Sequence, residues 1–135
     1  MMKLLRSERL PVRQESDILL VRQFVRECAT EFGFGVLALT KLITVASELG
    51  RNTLIHGGGG TMLVETFAEN DRRGVRLTFE DQGPGIVDLE QAMTDGFTTN
   101  GGLGLGLPGS RRLVNEFEVV SRPGTGTRVT VTQWA

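Results

Sequence analysis

Apolar residues recur at Ile18, Val21, Val25, Cys28 and Phe32, the three- and four-residue spacing of one helix face. Ser16 or Asp17 is placed to cap that helix, and Gly33 to stop it. A second stripe, Leu39, Leu42, Val45, Ala46 and Leu49, predicts a helix over 36–56, ended by the HGGGG run from His56 to Gly60. The period then changes to two. TMLVETFA at 61–68 and GVRLTFED at 74–81 read as strands joined by a turn over Asn70 to Gly74. In the second, Val75, Leu77 and Phe79 share one face while Arg76, Thr78 and Glu80 share the other. FEVVSR at 117–122 and TRVTVTQW at 127–134 form a hairpin around PGTG.

The remaining segments are shorter. A mixed run over 4–12, ending in Pro11-Val12, predicts an edge strand. Helical patches fit 88–94 and 105–116, the latter with Leu107 or Pro108 in its first turn. Strands that follow one another without an intervening helix point to a mixed or antiparallel sheet. With the helices on one face, the fold class is a two-layer α/β sandwich.

Composition narrows the function classes. A chain of 135 residues fits a single domain, and a net charge of -1 offers no bulk attraction for nucleic acid or a membrane surface. No apolar run reaches the ~18 residues of a membrane span, and the start, MMKLLRSERL, is too short in apolar character for a signal peptide. One Cys and one His leave no protein-built zinc site, and the lone Cys28 excludes an internal disulfide, so the expected location is cytoplasmic. The 18 glycines cluster at 57–60, 83–85, 101–109 and 124–126, which marks particular loops and not low complexity.

One of those loops spells G-x-G-x-x-G, Gly104 to Gly109. A dinucleotide fingerprint needs a strand just before the first glycine and an acidic residue about 20 positions later. TDGFTTNGG precedes Gly104, and Thr127 and Arg128 stand where the acid is required, so that reading fails. A Walker loop fails as well, because no Gly-Lys-Ser/Thr follows. Alternate glycines ahead of a helix still present backbone N–H groups beside a helix N-terminus, which suits an anion.

Two further constellations carry chemistry. Glu48 and Asn52 lie four apart on the second helix. Measured from Leu49 at about 100° per residue, Asn52 sits near -60° and Glu48 near -100°, at the border of the apolar stripe. Such a pair can hold Mg²⁺ or orient a nucleophile, although spacing alone favours the plainer reading, a surface hydrogen bond. Arg51, near -160°, points away from the stripe, towards a partner or solvent. Asp81 has the parity of Val75, Leu77 and Phe79 and faces the core side, where a carboxylate needs donors. A ligand amino group such as that of adenine would serve; so would the turn of Asp81's own chain, and both readings stand.

Taken in order, Glu48-x-x-x-Asn52, Asp81-x-Gly83-x-Gly85 and Gly102-Leu103-Gly104-Leu105-Gly106-Leu107 resemble the N, G1 and G2 boxes of the Bergerat-fold (GHKL) ATPases and kinases. That superfamily includes gyrase, heat-shock chaperones, histidine kinases and mismatch-repair proteins. SELGRN, EDQGPGI, the LGLPG variant with Pro108 and GFG at 33–35 are similar to its short anti-sigma-factor serine/threonine kinases, in particular the RsbT-type switch kinases of stress-signalling complexes (stressosomes).

The resemblance implies an ATP pocket with Mg²⁺. Asp81 would bind adenine, with Gly83, Gly85 and Ile86 beside it. Asn52 would be the metal ligand. Thr98, Thr99, Gly101, Gly102, Leu103, Gly104, Leu105, Gly106 and Leu107 would contact the nucleotide, and Glu48 would be the general base. It also implies a STAS-domain protein as substrate, phosphorylated on Ser or Thr, and a partner phosphatase. The segment 95–104 would close over the phosphates. His56 reads as a helix-end residue and not a phospho-acceptor. Two other functions stay open. One is an anti-sigma factor that sequesters a sigma factor; the other is a nucleotide-dependent binding module without transfer.

Overall fold

The second helix organises the molecule, because its apolar stripe is long enough to cover most of a sheet. In the structure, a computed structural model that describes residues 2–94 and 106–135, this is α2, Val36–Ile55. It buries Leu42, Ile43, Val45, Ala46 and Leu49, while Leu39 is only partly covered at its start. Before it come β1, Met2–Val12, and α1, Glu15–Glu31. Ile18, Val21, Val25 and Cys28 are buried as their spacing predicts. Neither Ser16 nor Asp17 is the N-cap; Gln14 is, and Asp17 reaches back. Its Oδ2 accepts the N–H groups of Arg13 (2.9 Å) and Gln14 (3.2 Å), two donors that the first helical turn leaves unpaired. Gly33 ends α1 with φ of 77°.

Four strands and two helices follow among the described residues: β2, Gly60–Glu69; β3, Arg72–Asp81; α3, Leu89–Ala92; α4, Gly106–Leu113; β4, Glu116–Arg122; and β5, Gly126–Trp134. The helix expected over 105–116 is shorter at its C-terminal end, because Asn115 is drawn into the sheet margin. Its N–H donates to the Gln133 side chain and its own side chain accepts from Trp134 N–H.

The sheet runs β1-β2-β3-β5-β4. Every pairing is antiparallel, so of the two sheet types anticipated the mixed one is absent among the described strands. The reason lies in the connections. Two helices between β1 and β2 return the chain to the sheet end it left, bringing Val12 opposite Gly60. β2–β3 and β4–β5 are hairpins. β1 is the edge strand expected, two residues longer, with a register shift between Leu4 and Arg6.

The core lies between the helices and one face of the sheet. Met62, Val64, Val75, Leu77, Phe79, Val129 and Val131 meet the stripes of α1 and α2 there. Each such fully buried side chain contributes about 2 kcal/mol. Cys28 belongs to this layer, and its burial pushes the thiol pKa up. No helix among the described residues is long and apolar enough to cross a membrane.

Candidate functional site

The pocket-forming residues gather where β3 ends beneath the last turns of α2. Strand register decides which side chains point there. Gly60, Asp81, Thr127 and Ser121 stand in one row across β2, β3, β5 and β4. Side chains directly opposite one another share a face, so Asp81, Thr127 and Ser121 all point to the helix side. Asp81 therefore has the orientation its parity predicts, and it is half-buried.

Asp81 is held by backbone that approaches it very closely. Its Oδ1 accepts the Gly83 N–H at 2.9 Å. Its carboxyl group lies against Gly57, just past α2, where an added methyl would overlap it. Gly83 in turn touches Gly57: a Cβ there would lie 2.8 Å from both the Gly57 Cα and its carbonyl oxygen. Asn52 accepts the N–H groups of His56 (2.9 Å) and Gly57 (3.2 Å) on its carbonyl, tying this corner to the end of α2. The self-capping reading of Asp81 is therefore met, and the ligand reading keeps an acceptor to work with. One carboxylate oxygen closes the turn, and the other has no hydrogen-bond partner among the described residues.

Hydroxyls brace the neighbouring loop. Ser121 Oγ accepts the Ile86 N–H at 2.7 Å and lies 2.8 Å from Thr127 Oγ1. Gly85 passes so close to the Arg122 carbonyl that a side chain would collide with it. Gly83, Gly85 and Ile86 are therefore brought to the site as the sequence predicts, and the chain itself requires the glycines there. Gly57, Ser121 and Thr127 were not foreseen. HGGGG reads as a helix stop, and the two hydroxyls acquire their place only through the pairing of β5 with β3 and β4.

The other half of the site is built around Glu48. Its residue is buried to 8% exposure. Oε1 accepts the N–H of Gly106 at 2.9 Å, and Oε2 lies 3.4 Å from Arg51 Nη1. Gly106 opens α4 with φ of 67°, a conformation that a side chain disfavours, and this aims its N–H at the carboxylate. Leu107 follows, half-buried, and Pro108 sits in the first turn, where a missing N–H costs nothing. Arg51 meets the angular expectation in part. Its Cα faces away from the stripe and its side chain is half exposed, but the guanidinium also reaches back to Glu48.

Asn52 is half-buried one turn beyond Glu48, and its side-chain amide has no hydrogen-bond partner among the described residues. An amide oxygen so placed fits a divalent cation that brings most of its own ligands. No cluster of three metal-binding side chains exists among the described residues, so a cation here would depend on other oxygens, as Mg²⁺ with nucleotide phosphates does. Thr98, Thr99, Gly101, Gly102, Leu103, Gly104 and Leu105, with the whole 95–104 segment expected to close, lie outside the described residues. His56 is the exposed C-terminal cap of α2.

Comparison with known proteins agrees with this geometry. The family described as histidine kinase-, DNA gyrase B-, and HSP90-like ATPase matches residues 38–134, which spans α2 to β5. Serine/threonine-protein kinase RsbT of Bacillus subtilis is 42% identical over 91% of this chain and 92% of its own length. Anti-sigma F factor of Bacillus cereus is 34% identical over 71% of this chain and 69% of its own length. Among solved structures, the RsbU and RsbW domains of Rv1364c from Mycobacterium tuberculosis superpose with a TM-score of 0.65. That likeness covers 96% of this chain and 32% of the other at 21% identity, and it shows the fold.

Proposed function

Because the chain belongs to the histidine kinase-, DNA gyrase B-, and HSP90-like ATPase family, we propose that its two half-sites bind one ATP between them and transfer its γ-phosphoryl group to a serine or threonine of a STAS-domain protein. Serine/threonine kinase chemistry follows from the relationship to RsbT. The observation that carries the residue assignment is that Asp81, against Gly57 just past the end of α2, keeps a carboxylate oxygen unpaired among the described residues, while Glu48, further back on α2, stands beside the opening of α4.

In this reading the free oxygen of Asp81 accepts the adenine amino group, and Gly57 and Gly83 let the backbone close tightly enough to hold that carboxylate in place. Gly106, Leu107 and the glycine run before them offer backbone N–H groups to the phosphates at the N-terminus of α4. The Asn52 amide oxygen would hold Mg²⁺, which supplies charge neutralisation on the phosphates when bound. Glu48 takes the proton from the acceptor hydroxyl. That oxygen forms its bond to the γ-phosphorus, the bond from phosphorus to the β–γ bridging oxygen breaks, and ADP leaves with the electron pair. Positioning and charge do most of the work in such transfers, so few groups suffice.

Release of a bound partner on phosphorylation, and engagement of a phosphatase afterwards, complete the proposed switch. Sigma-factor binding is the second reading, favoured by the identity to an anti-sigma F factor. Labelled γ-phosphate should pass from ATP to a purified STAS-domain protein, and Glu48→Ala should lower that rate by about 100-fold or more. Transfer at the full rate by Glu48→Ala would remove Glu48 as base. Capture of a sigma factor with no labelling of any STAS protein would favour sequestration.

A further inference from the structure

Glu48 cannot act as a base merely by being near an incoming hydroxyl; its free lone pairs must point the right way. In the structure each of its oxygens has one anchor. Oε1 is held by the Gly106 N–H at 2.9 Å and Oε2 by the Arg51 guanidinium at 3.4 Å. Two anchors on two oxygens fix the rotation of the carboxylate plane and leave one acceptor direction free on each oxygen. No other ionisable side chain among the described residues lies within ion-pair distance of it.

The two anchors are not equivalent. The Gly106 N–H stands at the start of α4, in the set of donors that the proposed ATP phosphates would use. A phosphate there competes directly with Glu48 Oε1 for that hydrogen. Arg51 belongs to α2, the same helix as Glu48, three residues on, so it moves with the carboxylate and not with the phosphate loop. It is therefore the anchor that survives nucleotide binding.

Stability does not explain the contact. The Arg51 side chain is 49% exposed, and a pair between neighbours on one helix with a half-exposed arginine adds little to folding. Its Cα direction leads outward, yet the side chain returns to a carboxylate that is 10% exposed. Such a pairing orients the carboxylate more than it stabilises the helix.

We propose that Arg51 is a positioning residue for phosphoryl transfer: it keeps the Glu48 carboxylate aimed once ATP has taken the Gly106 N–H. The inference rests on Glu48 being the base. It makes Arg51 a determinant of kcat and not of ATP or partner affinity.

The test uses full-length protein, Mg-ATP and the purified STAS-domain protein, with Arg51→Ala, Arg51→Lys and Glu48→Ala run side by side. Arg51→Ala should lower kcat about tenfold or more, with the ATP dissociation constant and the KM for the STAS protein within about twofold of the parent. Arg51→Lys, which keeps a cation at the end of a similar stem, should recover a substantial part of kcat. Unchanged kcat in Arg51→Ala would overturn the proposal, as would a raised KM for the STAS protein at constant kcat, the mark of a docking contact. Weakened ATP binding that accounts for the whole loss would also overturn it, since Arg51 would then serve the phosphates. If Glu48→Ala retains full transfer, the base assignment itself has failed. If Glu48→Ala is inactive while Arg51→Ala is not, only the inference about Arg51 has.

Discussion

The Asp81 end of the site and the Glu48 end are built in opposite ways. At Asp81 the constraints are backbone contacts. Gly57 lies against the carboxyl group, Gly83 lies against Gly57, and the strand register sets the direction of the side chain. Neither glycine there can take a side chain without displacing its neighbours. At Glu48 the constraints are single hydrogen-bond partners, Gly106 N–H and Arg51, each of which can be replaced by another donor. The first arrangement suits recognition of a planar base that arrives the same way each time. The second suits a group that must change partners during a reaction. Preorganisation belongs where the ligand is invariant, and exchangeable contacts belong where charge moves.

That contrast can be broken by experiment. The largest effect is expected from Asp81→Asn, which keeps the shape of the side chain and replaces one acceptor with a donor. ATP binding should weaken by about 100-fold or more, because one lost charged hydrogen bond and one donor facing a donor together cost about 3 kcal/mol. Isothermal calorimetry reads this directly, and tight binding by the variant would remove adenine from this corner. Gly57→Ala comes next. Its methyl overlaps the Asp81 carboxyl group, so ATP should bind about tenfold or more weakly and the melting temperature should fall with roughly 1–3 kcal/mol of strain. A variant as stable and as tight-binding as the parent would show that this end yields easily, and the contrast with Glu48 would collapse.

The smallest effect is expected from Ser121→Ala. It removes the acceptor of the Ile86 N–H, worth about 1 kcal/mol, and sits one strand further from Asp81. Thermal denaturation should shift by a few degrees, and ATP affinity should change less than in Gly57→Ala. A loss as large as that of Asp81→Asn would mean that the loop from Gln82 to Asp88, and not the β3 backbone, carries recognition.

Much of this architecture is legible in the chain because its causes are local. Helical stripes, strand alternation and glycine stops placed α1, α2 and all five strands, since burying one face of an element leaves a periodic mark. The candidate pair Glu48 and Asn52 and the parity of Asp81 followed from the same periodicity. The cap of α1 did not, because a polar residue at N3 serves by reaching back and resembles an N-cap in sequence. Ser121 and Thr127 were hidden for another reason. Their role depends on β5 lying between β3 and β4, a choice made by packing and not by spacing.

Arg51 shows the boundary most sharply. Its sequence position sets where its Cα faces, and that direction leads outward. Whether a long, flexible side chain then extends or folds back depends on what waits within its reach. Here that is a carboxylate which α4 has already pulled out of water. By itself the sequence determined the elements, their buried faces and the candidate residues, because backbone geometry and apolar burial act over a few residues. The tertiary structure alone decided which of those residues meet. Gly57 against Asp81, Thr127 beside it, and Gly106 and Arg51 sharing Glu48 are contacts between segments whose separation along the chain leaves no periodic trace, or between side chains with rotamers to spare.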